Sequence, residues 1–173
     1  MTNRIRSIAA IALLTGLAAP AFARDQIPGG VRRGLAAAAF GREGGQAIQR
    51  INPPGLSTPA TYSHIVRAGK TLYIAGQVGA DADGKVAGPS MVAQLEQVLK
   101  NLRIALESQG ADYSHITRIT IYTTDVDAIR APEAAAIRAK YFGAHRPAST
   151  LVGVARLASL EYKVEIEATA VLP

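Results

Sequence analysis

The chain has 173 residues, 19 Lys+Arg against 13 Asp+Glu, and no cysteine. The missing cysteine excludes thiol nucleophiles and zinc–thiolate sites, and it suits an exported chain that needs no disulfide. The formal net charge of +6 is concentrated at the front: from residue 51 onward 12 Lys+Arg face 11 Asp+Glu, so the patterned part has no basic excess with which to capture nucleic acid.

The chain opens "MTNRIRSIAAIALLTGLAAPAFARDQ". Arg4 and Arg6 form a positive n-region, and Ile8 to Leu17 form an apolar stretch shorter than the roughly 20 residues a bilayer span needs. Ala21-Phe22-Ala23 is an A-x-A cleavage site. Residues 1–23 therefore read as a signal peptide cut after Ala23. The n-region has no twin arginine, which points to general secretion into a periplasm or the exterior, with no membrane attachment after cleavage. Residues 24–56 are rich in Gly, Ala and Arg, show no sustained period and close at Pro53-Pro54-Gly55. They read as a weakly ordered extension, and the domain is expected over 57–173.

From residue 57 the pattern sharpens. "YSHIVRAGKTLYIAGQVG" reads as two strands joined at Ala68-Gly69-Lys70, and "DADGK" as a turn. "SMVAQLEQVLKNLRIALESQG" is the clearest helix: Ser90 is its N-cap, Val92, Leu95, Leu99, Leu102 and Leu106 recur at i+3 or i+4, and Gly110 is its C′ residue. "HITRITIYTTDV" is strand-like with imperfect alternation. "APEAAAIRAKYFGAH" is a helix with Pro132 near N1 and a stop at Gly143. "STLVGVARL" is a strand. "EYKVEIEATAVL" alternates strictly, with Val164, Ile166, Ala168 and Ala170 on one face and Glu165, Glu167 and Thr169 on the other. The order β-β-α-β-α-β-β predicts one α+β domain with two helices on one face of a mixed sheet. A sheet with one bare face tends to associate, so an oligomer is expected.

No metal or phosphate site emerges. His64, His115 and His145 lack the i, i+4 spacing of a metal pair. Each reads as a surface or strand-end histidine, with His64 near Tyr62. "GADADG" lacks the spacing and the distal glutamate of a calcium loop. Gly76 to Gly79 are followed by neither the lysine nor the helix of a phosphate loop. The six tyrosines form no stacking platform for single-stranded RNA. No cofactor is implied.

The segments "YIAGQVG", "TRITIYTTD", "HRPASTLVGVARL" and "YKVEIEATAV" resemble, in this order, the Rid family. This is the YjgF or endoribonuclease L-PSP-like family of reactive-intermediate deaminases. The resemblance runs over about residues 57 to 172. It implies a chorismate-mutase-like α+β fold, a homotrimer and small-molecule clefts between subunits. It also implies hydrolysis of 2-imino acids to 2-keto acids and ammonia, with a family arginine gripping the substrate carboxylate. Here that position is Ser149, whose neutral hydroxyl cannot replace charge-assisted bonds worth about 1.5–3 kcal/mol each. The family's cysteine two positions on is Leu151, and the small hydroxyl residue before the GQ glycine is Ala75. The resemblance assigns Tyr62, Gly76 and Gln77 to the pocket and Glu165 to the carboxylate that positions water. Backbone donors near Ser149 and Thr150 would polarise the substrate, and Arg146 is a candidate for the lost charge. Two functions follow: a hydrolase of C=N or enamine substrates that has turned away from free 2-imino acids, or a non-catalytic trimer that binds a small metabolite.

Overall fold

A computed structural model describes residues 47–173. The signal peptide and most of the expected extension lie outside the described residues. The described elements are β1 (Gln49–Ile51), β2 (Ile65–Ala68), β3 (Thr71–Val78), α1 (Met91–Glu107), β4 (Ile116–Thr123), α2 (Val126–Arg130), α3 (Pro132–Phe142), β5 (Ala148–Gly153) and β6 (Val164–Val171), with a 3-10 turn at Tyr113–His115. The strands form one six-stranded sheet in the order β1-β2-β3-β6-β4-β5. Every pairing is antiparallel except β4 with β5, which is parallel. The mixed α+β architecture expected from the sequence is therefore the one observed.

α1 forms because its apolar positions share one face and both ends are closed. Ser90 Oγ accepts the Ala93 N–H at 3.2 Å. At the other end Ala111 N–H reaches Leu106 O (3.0 Å) and Gly110 N–H reaches Glu107 O (3.1 Å). This is a Schellman closure, and it needs the left-handed backbone that Gly110 supplies at φ +69°. α3 begins at Pro132 and stops at Gly143, where the chain turns through φ +55°.

The helices pack on one face of the sheet. Leu95, Val98, Leu99, Leu102 and Leu106 of α1 meet Leu72 and Ile74 of β3 and Ile166, Ala168 and Ala170 of β6 in one buried cluster. Each fully buried leucine or isoleucine contributes about 1.5–3 kcal/mol of burial. The strict alternation of β6 is borne out: Val164, Ile166, Ala168 and Ala170 face the core, while Glu165, Glu167 and Thr169 face away. The imperfect alternation of β4 has a local cause. Its register against β6 slips between Ile116 and Arg118, so a bulge returns Ile116, Ile119 and Ile121 to one buried side.

Three features depart from the sequence expectations. The domain begins before residue 57, because β1 pairs with β2 and Leu56 joins the core. Asn52 Oδ1 also accepts the His64 N–H at 2.9 Å. A five-residue helix, α2, sits between β4 and α3, capped by Asp125 through the Ala128 N–H. The strand expected over Ser149–Leu157 ends at Gly153. Val154 N–H makes a last bond to Thr123 O at 2.8 Å, after which the chain leaves the sheet.

Candidate active site

The site begins at an irregularity in β3. Its register against β6 shifts between Ile74 and Gln77, so Ala75 and Gly76 together stand opposite Glu167. Such bulges bend a strand and re-aim its neighbours. Gly76 is needed here for room. A Cβ at this position would meet Glu165 Oε1 at 1.9 Å and Cγ at 2.9 Å. The Glu165 side chain thus lies directly across the bulge.

Glu165 is half-buried, with Val78 and Tyr122 as its register partners on β3 and β4. Burial, with the Glu167 charge as the lesser cause, holds its carboxyl above the usual carboxylate range. Among the described residues it has no ion pair. Glu167 is exposed and accepts only a long bond from Tyr122 Oη, at 3.5 Å. It lines a different hollow, on the helix-free face, with Tyr73, Arg118 and Thr120.

Around Glu165 opens a cavity of about 490 Å³ whose wall includes Tyr62, His64, Gly76, Gln77 and Tyr162. Tyr62 is half-exposed and meets the His64 ring edge-on, with centroids 5.7 Å apart. His64 is not the surface histidine the sequence suggested; it is 4% exposed. Its Nε2–H donates to Ser57 O at 2.9 Å, and its Nδ1 accepts from Gln77 Nε2 at 3.2 Å. A carbonyl on one side and an amide donor on the other fix this tautomer. Gln77 is 2% exposed and also donates to Ala75 O at 2.8 Å. Its amide nitrogen is committed to the wall, so Gln77 positions the bulge.

The remaining sequence candidates lie elsewhere. Ser149 lines a second cavity with Arg146, behind β5. Thr150 is exposed, and the alternation of β5 turns it to the opposite side of the strand from Ser149. Glu165 on β6 and Ser149 on β5 are separated by β4, a gap of two strand spacings or about 10 Å. Ser149 pairs with core-facing Ile119, whereas Glu165 faces away from the core. One chain therefore keeps Glu165 and Ser149 apart, in two separate cavities.

Sequence reasoning missed Asn101, Ser57, Asp81 and Tyr162, all in the wall of the Glu165 cavity. It also missed Arg138 beside Ser149. Asn101 had a signal: a polar residue on the apolar stripe of α1. Its Nδ2 donates to Val78 O (3.1 Å) and Ala80 O (2.8 Å), just past the bulge.

Residues 54–172 match the family model for endoribonuclease L-PSP. The chain belongs to this family, that of the Rid-like imine deaminases. It is 36% identical over 128 residues to protein DfrA of Myxococcus xanthus, covering 73% of this chain and 95% of that one. It is 38% identical over 112 residues to Reactive Intermediate Deaminase A, chloroplastic, of Arabidopsis thaliana, covering 64% and 58%. It is 29% identical over 127 residues to the 2-iminobutanoate/2-iminopropanoate deaminase of Homo sapiens, covering 73% and 89%. Among solved structures, RidA from the Antarctic bacterium Psychrobacter sp. PAMC 21119 is similar with a TM-score of 0.66 at 27% identity. That match covers 72% of this chain and 99% of the other.

Proposed function

We propose that the protein is an exported Rid-like hydrolase of C=N or enamine substrates, with little activity on free 2-imino acids. The observation that carries the reading is the Glu165 carboxyl. It is half-buried, made more basic than an ordinary carboxylate by burial, and unpaired among the described residues, and it stands in the wall of a cavity large enough for a small metabolite. A carboxyl so placed can take a proton from water as the oxygen adds to the imine carbon, then return it to the departing nitrogen. Imine and water become carbonyl and amine, so the proton balance closes on Glu165.

A homotrimer completes the site in this reading. The β5 half of one protomer closes on the β3/β6 half of the next, where backbone N–H groups near Ser149 and Thr150 stabilise the developing charge. The absence of a guanidinium at Ser149 sets the substrate choice. A 2-imino acid entering the cleft must strip water from its carboxylate, which costs several kcal/mol without a buried cation at that point. Export follows from the leader, and intact-mass measurement of the mature protein is expected to give an N-terminus at Arg24. A mature chain still beginning at Met1 would refute it.

A binding protein without turnover is the second reading. It is favoured by the commitment of the Gln77 amide nitrogen to Ala75 O and His64, which withholds that donor from a bound substrate. Incubating the mature protein with enzymatically generated 2-imino acids and a panel of neutral imines and enamines separates the two. Hydrolysis of at least one neutral substrate above the buffer rate supports the enzyme. Ligand-induced thermal shifts without any turnover would leave the binder.

A further inference from the structure

The charges around the Glu165 cavity are of one sign. Its charged lining residues are Glu165 and Asp81, and among the described residues no Lys or Arg lines it. Asp81 lies three residues beyond Val78, the register partner of Glu165, a Cα span of at most about 11 Å. Asp81 Oδ1 accepts the Asp83 N–H at 3.0 Å and the Lys85 N–H at 2.9 Å. These bonds fix the turn with one oxygen and leave the other for a ligand. The ion pairs among the described residues are His115–Asp112 and Lys140–Glu96, so neither Asp81 nor Glu165 is neutralised.

The side-chain N–H groups of the wall are spent on the wall itself. Gln77 Nε2 donates to Ala75 O and His64 Nδ1, His64 Nε2 donates to Ser57 O, and Asn101 Nδ2 donates to Val78 O and Ala80 O. Acceptors remain. Gln77 is 2% exposed and its bonds all run through Nε2, so Oε1 is left over. No unpaired side-chain oxygen is sealed in the interior of the described residues, so Oε1 opens on the cavity that Gln77 lines. A ligand here meets carboxylates, an amide oxygen and hydroxyls, but no free side-chain N–H.

We infer that this cavity selects a cationic substrate: an imine or enamine with a protonated nitrogen on a short hydrocarbon arm, its N–H groups held by Glu165, Gln77 Oε1 and Asp81. A half-buried carboxylate without a partner is costly, and a cation relieves that cost. Tyr62 and Tyr162, in the same wall, offer ring faces that attract a cation and carbon surface for the arm. An anion entering this wall meets two like charges and no side-chain N–H to take. The inference rests on the hydrolase reading for the reacting C=N group, but not for the capture of the cation.

Calorimetric titration of the mature protein with butylammonium, its isomer tetramethylammonium, butyramide and butyrate tests it. Butylammonium is expected to bind most tightly. Tetramethylammonium, which has the charge but no N–H, and butyramide, which has N–H groups but no charge, should bind more weakly, and butyrate should not bind. Glu165→Gln should weaken butylammonium about tenfold or more, as for a charge-assisted bond to a half-buried group. Asp81→Asn keeps the Oδ1 acceptor of the turn and should weaken it about twofold to fivefold at low salt, the range of an exposed charge. Butyrate or butyramide binding as tightly as butylammonium overturns the inference, and so does tighter binding of tetramethylammonium. A folded Glu165→Gln or Asp81→Asn protein that binds butylammonium as wild type does also overturns it. Turnover of neutral imines without butylammonium binding sinks the cation inference alone. Butylammonium binding without turnover of any imine sinks the hydrolase reading alone.

Discussion

Glu165 and Gly76 act as a pair, since the carboxylate occupies the volume any side chain at residue 76 would need. Gly76 lies outside the positive-φ glycines, so Gly76→Ala is expected to fold and to displace Glu165. Activity on neutral imines should fall at least tenfold with little change in melting temperature. Glu165→Gln should lower kcat about 10²–10⁴-fold, the usual range for a general acid–base group. The same change should stabilise the fold. Because the folded-state pKa of Glu165 is raised, the folded protein binds more protons than the unfolded chain above the ordinary glutamate value of about 4.3. The stability this confers is complete below that value and is lost as pH rises through the folded one. Thermal unfolding from pH 4 to 8 should show Glu165→Gln gaining over wild type toward neutral pH and converging with it near pH 4. A constant offset would place the carboxyl in an unperturbed environment. Glu165 was legible because β6 alternates strictly and its resemblance to the family is local. The roles of Gln77 and His64 were not. Their bond joins residues 13 apart in sequence, one just before β2 and the other on β3, and nothing in the local pattern marks it.

At the scale of elements, α1 holds the site's frame through two polar residues on its apolar face. Gln94 is fully buried. It donates to Gly88 O (2.9 Å) and Glu161 O (2.8 Å) and accepts from Lys163 N–H (2.8 Å), which ties the entry of β6 to the helix. Gln94→Ala leaves those three backbone groups unpaired in the interior and should cost about 2–3 kcal/mol by chemical denaturation. A loss below about 0.5 kcal/mol would mean that water replaces the amide. The period of α1 was readable because seven apolar side chains dominate it, and that dominance hid Gln94 and Asn101. β1 and α2 were not readable, since three and five residues are too few to display a period. β5 was read too long. Its apolar run continues past Gly153, but after the Val154–Thr123 bond the chain leaves the ladder.

For the whole molecule, the asymmetry of the sheet matters most. Its helix-free face carries Tyr73 at 53% exposure, and β5 forms an open edge whose residues are almost all exposed. Open edges favour association, and in the proposed reading an assembly would supply a wall that a single chain lacks. Multi-angle light scattering is expected to give three copies at micromolar concentration. Tyr73→Glu should shift this to a folded monomer that has lost hydrolysis. An active monomer would show that one chain holds the entire site.

The most direct measurement compares hydrolysis of 2-iminopropanoate and of a neutral imine by wild type, Ser149→Arg and Glu165→Gln under identical conditions. The expected result is a slow wild-type rate on 2-iminopropanoate, a faster neutral reaction, a gain on 2-iminopropanoate with Ser149→Arg, and loss of both activities with Glu165→Gln. A gain of tenfold would correspond to about 1.4 kcal/mol of recovered charge matching. A wild type already fast on 2-iminopropanoate and indifferent to Ser149→Arg would contradict the carboxylate argument, and a Glu165→Gln variant as fast as wild type would remove the proposed catalytic group.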